Sequence, residues 1–130
     1  MYSALTLVDT PNSYSDAPFR KRFQLRPPHL IVDSNGHLTA LSPDARALLE
    51  FLPSQRIETN FFSHVHSRNQ YRVMRDVASL LLFDKTRCEW LLRMRSGRGR
   101  WLWFQATATC EECDEGARIG IMLEPMRIES

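Results

Sequence analysis

Thr86-Arg-Cys-Glu-Trp-Leu-Leu-Arg-Met-Arg95, Ser96-Gly-Arg-Gly99 and Arg100-Trp-Leu-Trp-Phe-Gln-Ala-Thr-Ala-Thr109 follow one another without a break. After a polar loop comes Arg118-Ile-Gly-Ile-Met-Leu-Glu124. Each long run is rich in aromatic and aliphatic residues, and each break contains glycine or clustered acids. The pattern is strand, tight turn, strand, loop, strand, which is an antiparallel meander.

Upstream of the meander the signals alternate. Leu30-Ile-Val is a short apolar strand, and His37-Leu-Thr-Ala-Leu41 is a second. Between them Asp33-Ser-Asn-Gly36 is a turn, because Asn-Gly accepts the positive φ of tight hairpins. Ser42-Pro-Asp-Ala-Arg46 opens a helix. Ser42 caps, Pro43 suits the first helical position, and Asp44 complements the dipole. Ala45, Leu48, Leu49 and Leu52 continue at helical spacing until Pro53. Phe61, Phe62 and Val65 anchor a mixed stretch. Ser67-Arg-Asn-Gln70 fits a capping box. The helix behind it runs to about Leu82, with Tyr71 or Met74, Val77, Leu80 and Leu81 expected on its buried side.

Residues 1–28 differ from the rest. Asp9-Thr-Pro-Asn-Ser is loop chemistry, and Phe19-Arg-Lys-Arg-Phe-Gln-Leu-Arg26 is basic and amphipathic. This stretch is read as an arm or flanking element, and residues 29–128 as one domain. The chain of 130 residues suffices for a single sizeable core. A net charge of +2 does not by itself imply nucleic acid. No apolar run approaches the ~20 residues of a membrane span, and no signal peptide opens the chain. Three cysteines give no disulfide framework, so the expected compartment is the cytoplasm.

The element order β-β-α-(short α)-α-β-β-β resembles a PAS sensor domain over roughly residues 29–128. Three stretches carry the resemblance. Residues 30–49 are similar to the family's opening hairpin and first helix. Phe61-Phe-Ser-His-Val-His66 is similar to the approach to its long helix. Arg95-Ser-Gly-Arg-Gly-Arg-Trp-Leu-Trp-Phe104 is similar to the hairpin of its C-terminal half. The resemblance implies an α+β fold, a five-stranded antiparallel sheet with helices on one face. It implies signal sensing and protein contact rather than catalysis. Many PAS domains end in an Asp-Ile-Thr-like junction, whereas here the end reads Glu124-Pro-Met-Arg-Ile-Glu-Ser130. The chain is read as a stand-alone sensor or a piece of a larger protein.

By analogy with the family, Trp90, Leu92, Met94, Leu102, Phe104 and Met122 point inward, against Met74 and Val77 of the long helix. They would line a pocket for a small apolar ligand, or simply fill the core. On the outer face Trp101 and Trp103 are expected beside Ile121 and Leu123. So large an apolar patch calls for a cover. The candidates are the arm, through Phe19, Phe23 and Leu25, or a second copy in a homodimer. An effector domain or protein is the expected recipient of the signal.

Other chemistries find less support. Flavin photosensors carry an Asn-Cys-Arg-Phe-Leu-Gln stretch that has no match here. Haem needs an axial ligand, and the long helix has no histidine. Cys110-Glu-Glu-Cys113 is half a zinc site, and its acidic neighbours oppose a reactive thiolate. The cofactor is therefore unknown, with no flavin or haem signature and no metal site. Arg93, Arg95, Arg98 and Arg100 interleave with Trp101 and Trp103, one footprint of single-stranded nucleic acid. Local pairing, as through Glu89, reduces that charge. No nucleophile–base–orienter set stands out. The catalytic rival is a small α+β enzyme with an apolar pocket, for which Glu124 and His37 are the only candidate bases.

Overall fold

A computed structural model describes residues 27–113 and 116–126. It is built from β1 (His29–Asp33), β2 (Leu38–Leu41), α1 (Pro43–Leu48), a 3-10 turn (Phe61–His64), α2 (Ser67–Leu81), β3 (Arg87–Arg95), β4 (Trp101–Cys113) and β5 (Gly116–Pro125). The strands form one sheet in the order β2-β1-β5-β4-β3. Every neighbouring pair is antiparallel. The helices lie against one face. This is the α+β architecture expected from the sequence.

Local chemistry explains each junction. The β1–β2 turn is held by Asp33, whose Oδ1 accepts from the Asn35 and His37 amides, both at 2.9 Å. Gly36 takes φ +84°, and a Cβ there would meet the Phe62 ring at 2.7 Å. Glycine is thus required twice over, by conformation and by space. Ser42 Oγ accepts from Ala45 N at 3.1 Å and from His29 N at 3.0 Å. One hydroxyl caps α1 and ties it to β1.

Two helix ends differ from expectation. Helix α1 stops at Leu48, with Glu50 at φ +63°, and Leu52 is exposed rather than packed. The Arg46 guanidinium reaches the carbonyls of Leu52, Pro53 and Gln55 at 2.9–3.1 Å and folds that loop back on the helix. At the start of α2 the cap is His66, not Ser67. His66 Nδ1 accepts from Arg68 N at 3.1 Å. Gln70 donates instead to the carbonyls of Phe62 and Val65. There is no capping box, because the imidazole has taken the orphan amide.

The inner face of the sheet is a set of size-matched rows. Trp90 pairs with Ala106, and Ala106 with Leu123. Cys88 pairs with Ala108, Ala108 with Ile121, and Ile121 with Leu30. Small alanines in β4 make room for large side chains on both sides. With Phe61, Leu49, Val73, Val77 and Leu80 from the helical layer, these residues form one core. Each fully buried large side chain contributes roughly 1.5–3 kcal/mol.

This register corrects three sequence expectations. Pairing from Cys113↔Gly116 to Phe104↔Pro125 joins even-numbered residues of β4 to odd-numbered residues of β5. Ile121 and Leu123 are therefore buried in the core, and Met122 is exposed on the outer face. Because side chains alternate, a shift of one residue exchanges the two faces. Met74 is also exposed, since α2 turns Val73, Asp76, Val77 and Leu80 inward. Tyr71 likewise faces out, and Leu81 is only partly buried.

Candidate functional site

One buried carboxylate lies between the helical layer and the sheet among the described residues. Asp76 is buried on α2 between Val73 and Leu80. Its Oδ2 accepts from the Trp90 indole N–H at 2.9 Å, and its Oδ1 from Lys85 Nζ at 3.2 Å. Arg75 and Arg72 stand farther off, at 3.5 and 3.9 Å. Burial alone would raise the Asp76 pKa. The hydrogen bonds from Trp90 and Lys85 outweigh it and hold the carboxyl below its ordinary value. The pair pins α2 to β3, because a buried indole N–H needs an acceptor. Sequence reasoning placed Trp90 inward but missed Asp76. Its position three residues after Val73 and four before Leu80 was the signal.

The apolar interior is nearly full. A void of about 10 Å³ lies among Leu30, Leu38, Leu41, Leu49, Phe51, Phe61, His64 and Met94. That is room for about one water, against the ~300 Å³ or more of a ligand pocket. Trp90, Leu92, Met94, Phe104 and Val77 are buried, and Leu102 is partly buried against them. Of these only Met94 borders the void. Asp76 does not border it.

The outer face of the sheet has a different character. Trp101 is 43% exposed and stands opposite Arg95, while Trp103 stands opposite Arg93. The Arg93 guanidinium lies over the Trp103 ring, 4.7 Å from its centroid. Arg93 Nε is buried and has no hydrogen-bond partner among the described residues, so the stacking is its main anchor. The His66 ring meets Trp101 edge-on with centroids 4.7 Å apart. Partial burial, followed by the charges of Arg93 and Arg68, lowers the His66 pKa. Its imidazole is thus biased toward the neutral form against the indole. Leu91, Met122 and Met126 are exposed. Leu91 and Met122 share this face with the tryptophans, while Ile121 and Leu123 belong to the other side. The chain enters beside it, where Pro28 O accepts from Leu123 N at 2.8 Å. Phe19 and Phe23, expected as covering residues, lie outside the described residues.

The β3 edge is partly closed. Val65 bridges to Met94, His66 N donates to Arg93 O at 3.0 Å, and Asn69 Oδ1 accepts from Arg93 N. These contacts leave less of that edge open to strand pairing.

The remaining candidates are dispersed. Cys88 is buried, and burial, with Asp76 next, raises its thiol pKa. Burial and the carboxylates of Glu112 and Glu111 do the same for Cys110. Cys110 and Cys113 both belong to strand β4. His64 Nε2 lies 2.7 Å from Glu58 O, and His66 is a helix cap. Within the basic hairpin, Arg100 pairs with Glu50, and Arg87 with Glu89 at 2.9 Å. Glu124 and His37 are exposed, far from the character of a buried base.

Five antiparallel strands in the order β2-β1-β5-β4-β3, with the helical segment inserted between β2 and β3, decide the fold. The chain has the PAS fold. PAS-B of Drosophila melanogaster Cycle, solved with ethylene glycol bound, superposes with a TM-score of 0.66 at 13% identity, covering 76% of this chain and 99% of that one. A PAS domain from Desulfitobacterium hafniense gives 0.62 at 11% identity, covering 78% and 94%. One from a two-component sensor histidine kinase gives 0.57 at 14%, covering 77% and 85%. No family model matches the sequence, and no curated protein matches it. Likeness to the PAS fold therefore lies in the backbone and its packing rather than in shared residues. No helix among the described residues is long and apolar enough to cross a membrane.

Proposed function

We propose that residues 29–128 are a PAS-type signalling module that works by protein contact through the outer face of its sheet. The partner is a second copy of the domain, with residues 1–28 as a flanking arm and an effector domain or protein receiving the output. The observation that carries this reading is the contrast at β4. Its inner face is closely packed, while its outer face presents Trp101 and Trp103 with exposed Leu91 as a diagonal neighbour and exposed Met122 farther along the same face, opposite Thr107. Tryptophan and arginine are the residue types that dominate interface energies, and here they are already paired and oriented.

The small void beneath the sheet favours coupling over storage of a ligand there; the larger space, about 300 Å³, is an open and partly polar cleft between Phe51, Gln55, Glu58 and the turn at Ser96–Gly99. A small apolar molecule would have to bind a conformation in which the layer around Phe51 and Phe61 opens. It would then act by shifting that population. A catalytic role has less support. The buried carboxylate is held ionised by Trp90 and Lys85, away from the void, whereas a general base in an apolar pocket needs a raised pKa. The raised pKa values of Cys88 and Cys110 argue against a reactive thiolate at either.

Sedimentation velocity of the full chain and of Trp103→Ser tests the proposal. The full chain should sediment as a dimer and the variant as a folded monomer. A monomer in both, with residues 1–28 protected from proteolysis only when Trp103 is present, would replace the second copy by the arm.

A further inference from the structure

Helix α2 is amphipathic on two sides. Its inner side carries Val73, Asp76, Val77 and Leu80. Its outer side carries Tyr71, 76% exposed, and Met74, 49% exposed, and the C-cap Leu82, 71% exposed, extends this row. Exposed Ala78 lies between them. Residues 71, 74, 78 and 82 follow one another at steps of three and four, which places them along one side of a helix. Phe83, just past the helix end, is exposed as well.

Arginines flank this row. Arg68, Arg72 and Arg75 are all exposed, at the same helical steps. Arg72 and Arg75 lie near the carboxylate of Asp76, which is buried and already accepts from Trp90 and Lys85. At 3.9 and 3.5 Å, Arg72 and Arg75 lie beyond good hydrogen-bond distance from it. Each guanidinium carries five N–H donors, so these loose ion pairs leave others for another molecule. A single exposed leucine is ordinary. A row of large apolar side chains rimmed by arginine has the composition of an interface.

We propose that the outer side of α2 docks an amphipathic helix of a partner protein, one that carries carboxylates beside its apolar stripe. Charge selects this occupant. A second copy of α2 would bring two arginine rows together. The chain's own N-terminal stretch carries Arg20, Lys21 and Arg22 between Phe19 and Phe23, and repels the row in the same way. The acidic hairpin is strand, and its Glu111 is already paired with Arg118 at 3.1 Å. An acidic helix satisfies Arg68, Arg72 and Arg75 while its apolar stripe covers Tyr71, Met74 and Leu82, as helix rows pack on one another. This surface lies on the layer opposite the outer sheet face, so the two can be occupied at once.

The probe is a synthetic helical peptide of about three heptads, with leucine along one stripe and glutamate beside it. A control peptide has lysine in place of glutamate. Both are titrated into the ¹⁵N-labelled full chain. The glutamate peptide should shift amides within residues 67–83 and weaken as salt is added. Tyr71→Ser and Arg68→Glu should each reduce its affinity about tenfold, which is ~1.4 kcal/mol. An unchanged urea midpoint in both variants shows that the fold is intact. Equal binding of the two peptides, or shifts centred on Trp101 and Trp103, would overturn the proposal. So would an oligothymidylate or phosphatidylserine vesicles perturbing residues 67–83 where the glutamate peptide does not.

Discussion

The two faces of β4 are made of the same strand and do opposite things. Inward, Ala106 and Ala108 stand opposite Trp90, Leu123 and Ile121, Phe104 packs opposite Leu92, and all are buried. Outward, Trp101 meets the His66 ring edge-on, Trp103 lies under the Arg93 guanidinium, and both remain partly open. The inner face spends its large side chains on the fold. The outer face holds comparable side chains in fixed orientations without covering them. Preorganised but uncovered aromatics mark the side that is built for contact.

The comparison is sharpest at adjacent residues of β5. Ile121→Lys puts an unpaired charge into the core and should abolish cooperative folding, read as loss of the urea transition. Met122→Lys, one residue on, should move stability by no more than ~0.5 kcal/mol. Equal effects would mean that the faces are not distinguished as described.

Trp90→Ala should cost about 3–5 kcal/mol, the range for truncating a large core aromatic. Asp76→Asn should cost less, about 1–3 kcal/mol, because the indole keeps an oxygen partner while the charge facing Lys85 is lost. The pH dependence gives a second reading. Asp76 has a lowered pKa in the folded state. Its contribution is therefore present above the unfolded aspartate value, about 3.9, and is lost as the pH falls from there through the folded value. Urea midpoints of the native chain should drop over that window more steeply than those of Asp76→Asn. Parallel curves would remove Asp76 from the account.

Gly97→Ala should cost about 1–3 kcal/mol as an overpacking change. A Cβ at Gly97 would meet Glu50 O at 2.5 Å, where Gly97 N now donates to Leu49 O at 2.7 Å. At the small end, Trp101→Ser should change the urea midpoint by no more than ~0.5 kcal/mol, since the side chain is exposed. Its larger effect should appear in self-association.

Much of this was legible in the chain itself. The meander, the Asn-Gly turn, the Ser42 cap and the order of elements all rest on local rules, and the structure keeps them. What failed was phase. Alternation within β5 is plain, yet which half faces the core depends on how Gly116 meets Cys113, and a single residue there exchanges Met122 for Ile121 and Leu123. In α2 the difficulty was a surplus of signal. Two apolar rows share one helix, so periodicity found Val77 and Leu80 but took Tyr71 or Met74 in place of Val73. Asp76 was hidden for a related reason. A carboxylate reads as surface until a buried indole is known to need it.

The most direct test uses the three tryptophans as reporters. Incorporation of 5-fluorotryptophan labels Trp90, Trp101 and Trp103, and ¹⁹F spectra follow each across a wide range of protein concentration. Trp90 should be indifferent to concentration while Trp101 and Trp103 shift together as the dimer forms. Resonances of Trp101 and Trp103 that stay as constant as that of Trp90 would contradict it.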